Sequence, residues 1–71
     1  MFDKKNPVEF DVIFMHETEK AVLVEYQGTK YWIPNSQIDE DSEVYVGCKL
    51  EKGEKALLIC SEWIAIQKEL I

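Results

Sequence analysis

Arginine is absent from this chain: all eight cations are lysine, set against 14 carboxylates for a net charge of −6. Bidentate recognition of phosphate and of guanine edges is chiefly arginine chemistry, and nucleic-acid affinity rests mainly on neutralising phosphates. Tight DNA or RNA binding is therefore disfavoured, the more so because Lys4, Lys5, Lys20, Lys30, Lys49, Lys52, Lys55 and Lys68 are scattered. Histidine occurs once, as His16, in a stretch that reads as a polar turn with no nucleophile placed beside it. Two cysteines, Cys48 and Cys60, are too few for a secreted disulfide framework and, with a single histidine, too few for structural zinc. They read as reduced cytosolic thiols. A glycine-rich phosphate loop and an Asp-x-Asp-x-Asp-Gly calcium loop are both missing. No run approaches the roughly 18 apolar residues of a membrane span, and residues 1–7 lead into no apolar signal region. These absences predict a cytoplasmic protein that is not an enzyme and holds neither cofactor nor metal.

What is present is a folding pattern. Hydrophobic residues make up 46% and charged residues 31%, too apolar for disorder. At 71 residues the chain is one domain, 1–71, with a thin core, since a chain this short buries only about 60% of its unfolded surface. Val8, Phe10, Val12 and Phe14 recur at period two opposite Glu9 and Asp11, which predicts a half-buried strand over about 8–15. A second strand over 20–27 is rich in β-branched residues. Gln27-Gly28-Thr29 signals a hairpin, because glycine supplies the positive φ of short reversals. The third strand, 30–33, stops at Pro34, which has no N–H for a ladder. Asn35 to Ile38 reads as a turn or a single 3₁₀ turn returning Ile38 to the core, and 39–43 as a solvated acidic loop. A fourth strand over 43–50, bulged at Gly47, a turn at 51–54 and a fifth strand over 55–60 follow. Ser61 is a candidate N-cap and Glu62 suits the first turn of a helix over 61–70, whose apolar face would carry Trp63, Ile66 and Leu70. A single helix over 54–70 is the alternative, since Ala, Leu, Glu and Lys are all helix formers; Gly53 and the cap residue favour strand then helix. The fold class is mainly β: a five-stranded SH3-like or OB-like barrel capped by a short α-helix.

Aromatics are the strongest functional signal. Along the third strand Tyr31 and Ile33 face one way and Trp32 the other, so one of these aromatics lies at or near the surface. An exposed Trp32 could stack single-stranded bases or anchor a protein partner; alternatively it packs against Trp63 and closes the barrel. Trp63, on an apolar helix face, is expected inside. The carboxylates of Glu17, Glu19, Glu25 and the loop Asp39, Glu40, Asp41 and Glu43 could together imitate the phosphates of DNA toward a basic protein.

Two stretches carry a resemblance. Lys20-Ala21-Val22-Leu23-Val24 with Tyr31-Trp32-Ile33-Pro34-Asn35-Ser36-Gln37-Ile38, and Ser61-Glu62-Trp63-Ile64-Ala65 with Lys68-Glu69-Leu70-Ile71, together resemble a pattern found in small bacteriophage and prophage proteins. Some of those are encoded near replication and recombination functions. The resemblance spans residues 8–71, and its motifs are structural rather than catalytic. Asn35 stands where the pattern has lysine, and Glu69 where glycine would end the helix. The aromatics and the acidic surface, set beside this resemblance, lead to the expectation of a non-enzymatic phage-type module that binds a protein, an acidic inhibitor or modulator of a host or phage nucleic-acid-processing factor. Its working surface would be Tyr31, Trp32 and Asn35 with Asp39, Glu40, Asp41 and Glu43. One alternative is an accessory single-strand nucleic-acid module using Lys30, Tyr31 and Trp32. Another is a structural homodimer formed through an exposed edge strand.

Overall fold

Alternation of apolar and charged residues from Val8 onward yields the first strand, β1 (Val8–Glu17), which buries Phe10, Val12 and Phe14 and exposes Glu9 and Asp11. A computed structural model describes residues 7–71; the polar leader and the lysines Lys4 and Lys5 lie outside the described residues. The order continues with β2 (Ala21–Tyr26), β3 (Thr29–Pro34), a 3₁₀ turn (Asn35–Gln37), β4 (Lys55–Cys60) and α1 (Glu62–Gln67). All strand pairs are antiparallel, in the spatial order β3-β2-β1-β4.

β1 runs further than its sequence suggests. Its register against β2 shifts between Phe14 and His16, so Met15 is an extra, bulged residue. Past the bulge His16 pairs with Leu23 and Glu17 with Val22. The expected turn at His16 therefore begins at Thr18 instead, whose Oγ1 accepts the N–H groups of Lys20 and Ala21 at 3.3 and 3.2 Å. The β2–β3 reversal places Gln27 at φ 52° and Gly28 at φ 81°, the two positive values of a type I′ turn. The 3₁₀ turn returns Ile38 to the core edge as expected.

Four strands form among the described residues, not five, and residues 43–50 belong to none of them. Val44 is buried and Val46, Cys48 and Leu50 pack against the core while their odd-numbered neighbours are exposed. The period-two pattern in this stretch thus records burial along an irregular crossing of the sheet's core face. Its backbone enters the left-handed region at Gly47 (φ 92°) and Lys49 (φ 66°), which extended strands do not.

The outer edge of β4 is closed by other means. Ile38 bridges Cys60, Asp39 N–H donates to Ile59 C=O at 2.8 Å, and Glu43 N–H donates to Leu57 C=O at 3.0 Å. Side chains supply the acceptors: Glu43 Oε1 takes the Leu57 N–H at 2.8 Å and Ser42 Oγ the Ile59 N–H at 3.0 Å. Because β3 and β4 are opposite ends of the sheet and do not pair with each other, the expected barrel is an open sheet. Residues 44–50 and α1 cover one of its faces.

Ser61 caps α1, its Oγ accepting the Ile64 N–H at 3.1 Å, with Glu62 in the first turn. The helix has six residues and buries Ile64 and Ala65. Trp63 and Ile66 are 50% and 54% exposed, which corrects the expected apolar face. At about 100° per residue, the arc centred on 64 and 65 lies opposite the arc shared by 63 and 66. Leu70 reaches the core from beyond the helix end. There Glu69 sits at φ 60°, Glu69 N–H donates to Ile66 C=O at 3.0 Å and Leu70 N–H to Ala65 C=O at 2.8 Å, a Schellman termination. No helix of the described residues is long and apolar enough to cross a membrane.

Candidate functional site

Pleating separates the two aromatics of β3. Tyr31 lies half-buried against the core, whereas Trp32 is 42% exposed on the opposite face. There its ring meets His16 edge-on, with centroids 6.4 Å apart and planes at 83°. Register explains the meeting: His16 pairs with Leu23 on one side and Trp32 pairs with Leu23 on the other, so the three form a row across the outer face. Tyr31 and Trp32 consequently do not form one surface.

Asn35, Asp39 and Glu40 do converge. With Ile38 and Tyr45 they line a shallow groove of about 240 Å³. Each wall has a local cause. Asn35 Oδ1 accepts the Val46 N–H at 3.0 Å, tying the 3₁₀ turn to the crossing segment and so bringing neighbouring Tyr45 toward it. Asp39 Oδ2 accepts the Asp41 N–H at 3.0 Å, an Asx turn that folds the acidic loop back on itself. Tyr45, 44% exposed, lines the same groove as Asp39 and Glu40. A cation entering here would find a tyrosine and two acidic residues in its walls. Burial pushes the Cys60 thiol up from 9.0 to about 11, so this thiol is a core group rather than a nucleophile.

In its comparison with known proteins the chain matches no family model, no curated protein and no solved structure. The functional reading therefore rests on the groove and on the residues themselves.

Of the predicted surface residues, Asn35, Asp39 and Glu40 share the groove, and Asp41 is exposed on the same loop. Glu43 stands apart: its carboxylate is committed to the Leu57 N–H, and it borders a different hollow, with Asp11 and Lys55. Tyr45 was missed because it was placed inside a strand. The signal was available, since it is the odd-numbered residue between inward-facing Val44 and Val46. Ser42 was missed as well. It is buried, accepts the N–H groups of Val44 and Ile59, and has its hydroxyl within reach of the Val44 and Leu57 carbonyls. A serine in a polar loop gives no sequence signal of that role. Among the described residues no group of three or more His, Cys, Asp or Glu side chains could hold a metal ion.

Proposed function

We propose that this chain is a non-enzymatic, phage-type protein-interaction module that receives a basic side chain of a nucleic-acid-processing protein in the groove between Asn35, Asp39, Glu40 and Tyr45. One observation carries the reading: an exposed aromatic ring and two carboxylates line a single concavity on a chain of net charge −6. Tyrosine faces and carboxylates both attract lysine and arginine, and net negative charge steers a basic partner toward the site. Glu40 and Asp41 supply the exposed charge, while Asp39 and Asn35 fix the loop that presents it.

The test is capture of partners from bacterial lysate on the tagged protein, with nuclease present, by wild type and by a Tyr45→Ala, Glu40→Gln, Asp41→Asn variant. A basic protein held by wild type and released by the variant supports the reading. Equal capture by both refutes it. A second reading, accessory binding of single-stranded nucleic acid, is favoured by Lys30 and Trp32 sharing the outer face. It requires affinity for generic oligonucleotides that falls steeply with salt, and loss of captured proteins once nuclease is added.

A further inference from the structure

The two edges of the sheet are unlike. β4 has the outward N–H and C=O groups of Leu57 and Ile59 taken by residues 39–43, and beyond its end Ser61 N–H donates to Gln37 C=O at 2.9 Å. β3 has no such cover. Asn35 N–H donates to Lys20 C=O at 2.8 Å, which fixes the residues of the β2–β3 ladder that exchange hydrogen bonds: Val22 with Ile33, Val24 with Tyr31, Tyr26 with Thr29. Lys30 and Trp32 occupy the alternate positions, so the N–H and C=O of both point away from β2. Among the described residues these groups have no backbone partner.

Such an edge is a template for another strand, and its side chains indicate which one. Thr29–Pro34 contains no carboxylate, in a chain with 14 of them. A second copy of β3 can therefore approach without meeting an opposing acid on the edge itself. Three two-fold antiparallel registers keep the outward groups facing each other or on the axis. Centring on Lys30 sets two ammonium groups directly opposite, which is unfavourable. Centring on Trp32 puts Lys30 against Pro34, which has no N–H to return, and sets Tyr31 against Ile33, already fully buried. Centring on Tyr31 satisfies every group. Each Lys30 N–H then donates to the second copy's Trp32 C=O, and each Trp32 N–H to the second copy's Lys30 C=O. On the outer face each lysine lies beside the other copy's indole, a cation–π neighbour pair made twice; on the core side the two half-buried Tyr31 rings meet across the axis.

We propose that the chain forms a homodimer by antiparallel pairing of β3 with the β3 of a second copy, centred on Tyr31. The groove of the proposed function takes no part, so the two readings stand or fall separately. The interface is isologous, each copy giving the same residues it receives.

Sedimentation of the full chain over a range of concentrations tests the dimer, with Lys30→Pro as the diagnostic variant. On the backbone, proline at 30 removes one N–H, which points away from β2 at a position where edge strands accept it, and with the side chain it removes the ammonium beside the other copy's indole. Wild type is expected to dimerise in a concentration-dependent way, more strongly as ionic strength rises and screens the repulsion between two chains of charge −6. Lys30→Pro is expected to keep its far-UV circular dichroism and associate at least about tenfold more weakly, the loss of two edge hydrogen bonds. A wild type that stays monomeric, or a folded Lys30→Pro that associates equally, overturns the proposal. Should Lys30→Pro fail to fold, oxidation of Tyr31→Cys in a Cys48→Ser background decides. Tyr31→Cys is expected to yield a disulfide-linked dimer and Thr29→Cys to stay unlinked, because only residue 31 faces its own copy across the axis. Equal linkage at both positions overturns the register, and linkage at neither overturns the dimer.

Discussion

Ser42 Oγ stands 3.0 Å from the Ile59 nitrogen, where the carbonyl of a neighbouring strand would be. The same oxygen accepts the Val44 N–H at 3.2 Å, so one buried hydroxyl serves two backbone donors at the edge of β4. Removing it leaves the Ile59 N–H buried without an acceptor and the Val44 N–H with only the Leu57 C=O at 3.3 Å. Ser42→Ala is expected to cost about 1–3 kcal/mol. Urea denaturation checks this as a lower midpoint at unchanged slope.

Glu69 ends α1 in a conformation that suits glycine, at φ 60°. A side chain with a Cβ is strained there by about 1 kcal/mol. Glu69→Gly relieves the strain while keeping the two terminal hydrogen bonds, so it is expected to raise stability by about 1 kcal/mol and the melting temperature by several degrees. A lower melting temperature would mean that the Glu69 side chain contributes more than its backbone costs.

The face that α1 buries can be read by paired truncation. Ile64 is 4% exposed and Trp63 50% exposed. Ile64→Ala is expected to cost about 2–4 kcal/mol and Trp63→Ala less than about 1 kcal/mol. Similar losses at both positions would restore the helix face expected from sequence, with Trp63 inside.

Cys60 couples stability to alkaline pH. Its thiol is raised by burial from 9.0 to about 11, so the folded state favours the protonated form more than the unfolded state does. This contribution is fully present below pH 9 and is lost as pH climbs through about 11. Stability should therefore fall between these values by on the order of 2 kcal/mol, and a Cys60→Ala variant should show a flatter decline. In the native protein at neutral pH a thiol reagent is expected to modify the half-buried Cys48 well before Cys60.

Much of the fold was legible where a residue's neighbours in sequence are also its neighbours in structure. The alternation of Phe10, Val12 and Phe14 marked β1, Gln27-Gly28 marked the tight reversal, and Ser61 with Glu62 marked the start of α1. The opposite orientation of Tyr31 and Trp32 followed from pleating alone. The misreadings share a cause. Alternation over 43–50 reports which side chains are buried, and burial does not require a ladder. Whether a ladder forms depended on Ser42 and Glu43, whose side chains bond to β4 residues distant in sequence. The bulge at Met15 and the buried arc of α1 are likewise set by contacts across the fold. The candidate site was legible in part: Asn35, Asp39 and Glu40 converge, whereas Glu43 is structural and Tyr45 enters because the crossing segment is pinned to Asn35.

Unlike edges also decide how large an assembly can become. A sheet open at both ends can recruit strands indefinitely and grow into a fibre. In this chain β3 is the edge left open among the described residues, and the proposed pairing would consume it. Two copies joined at β3 leave only β4 outermost, already stoppered by Ser42 and Glu43. Under the proposed pairing assembly would terminate itself, with these two side chains holding the stoichiometry at two.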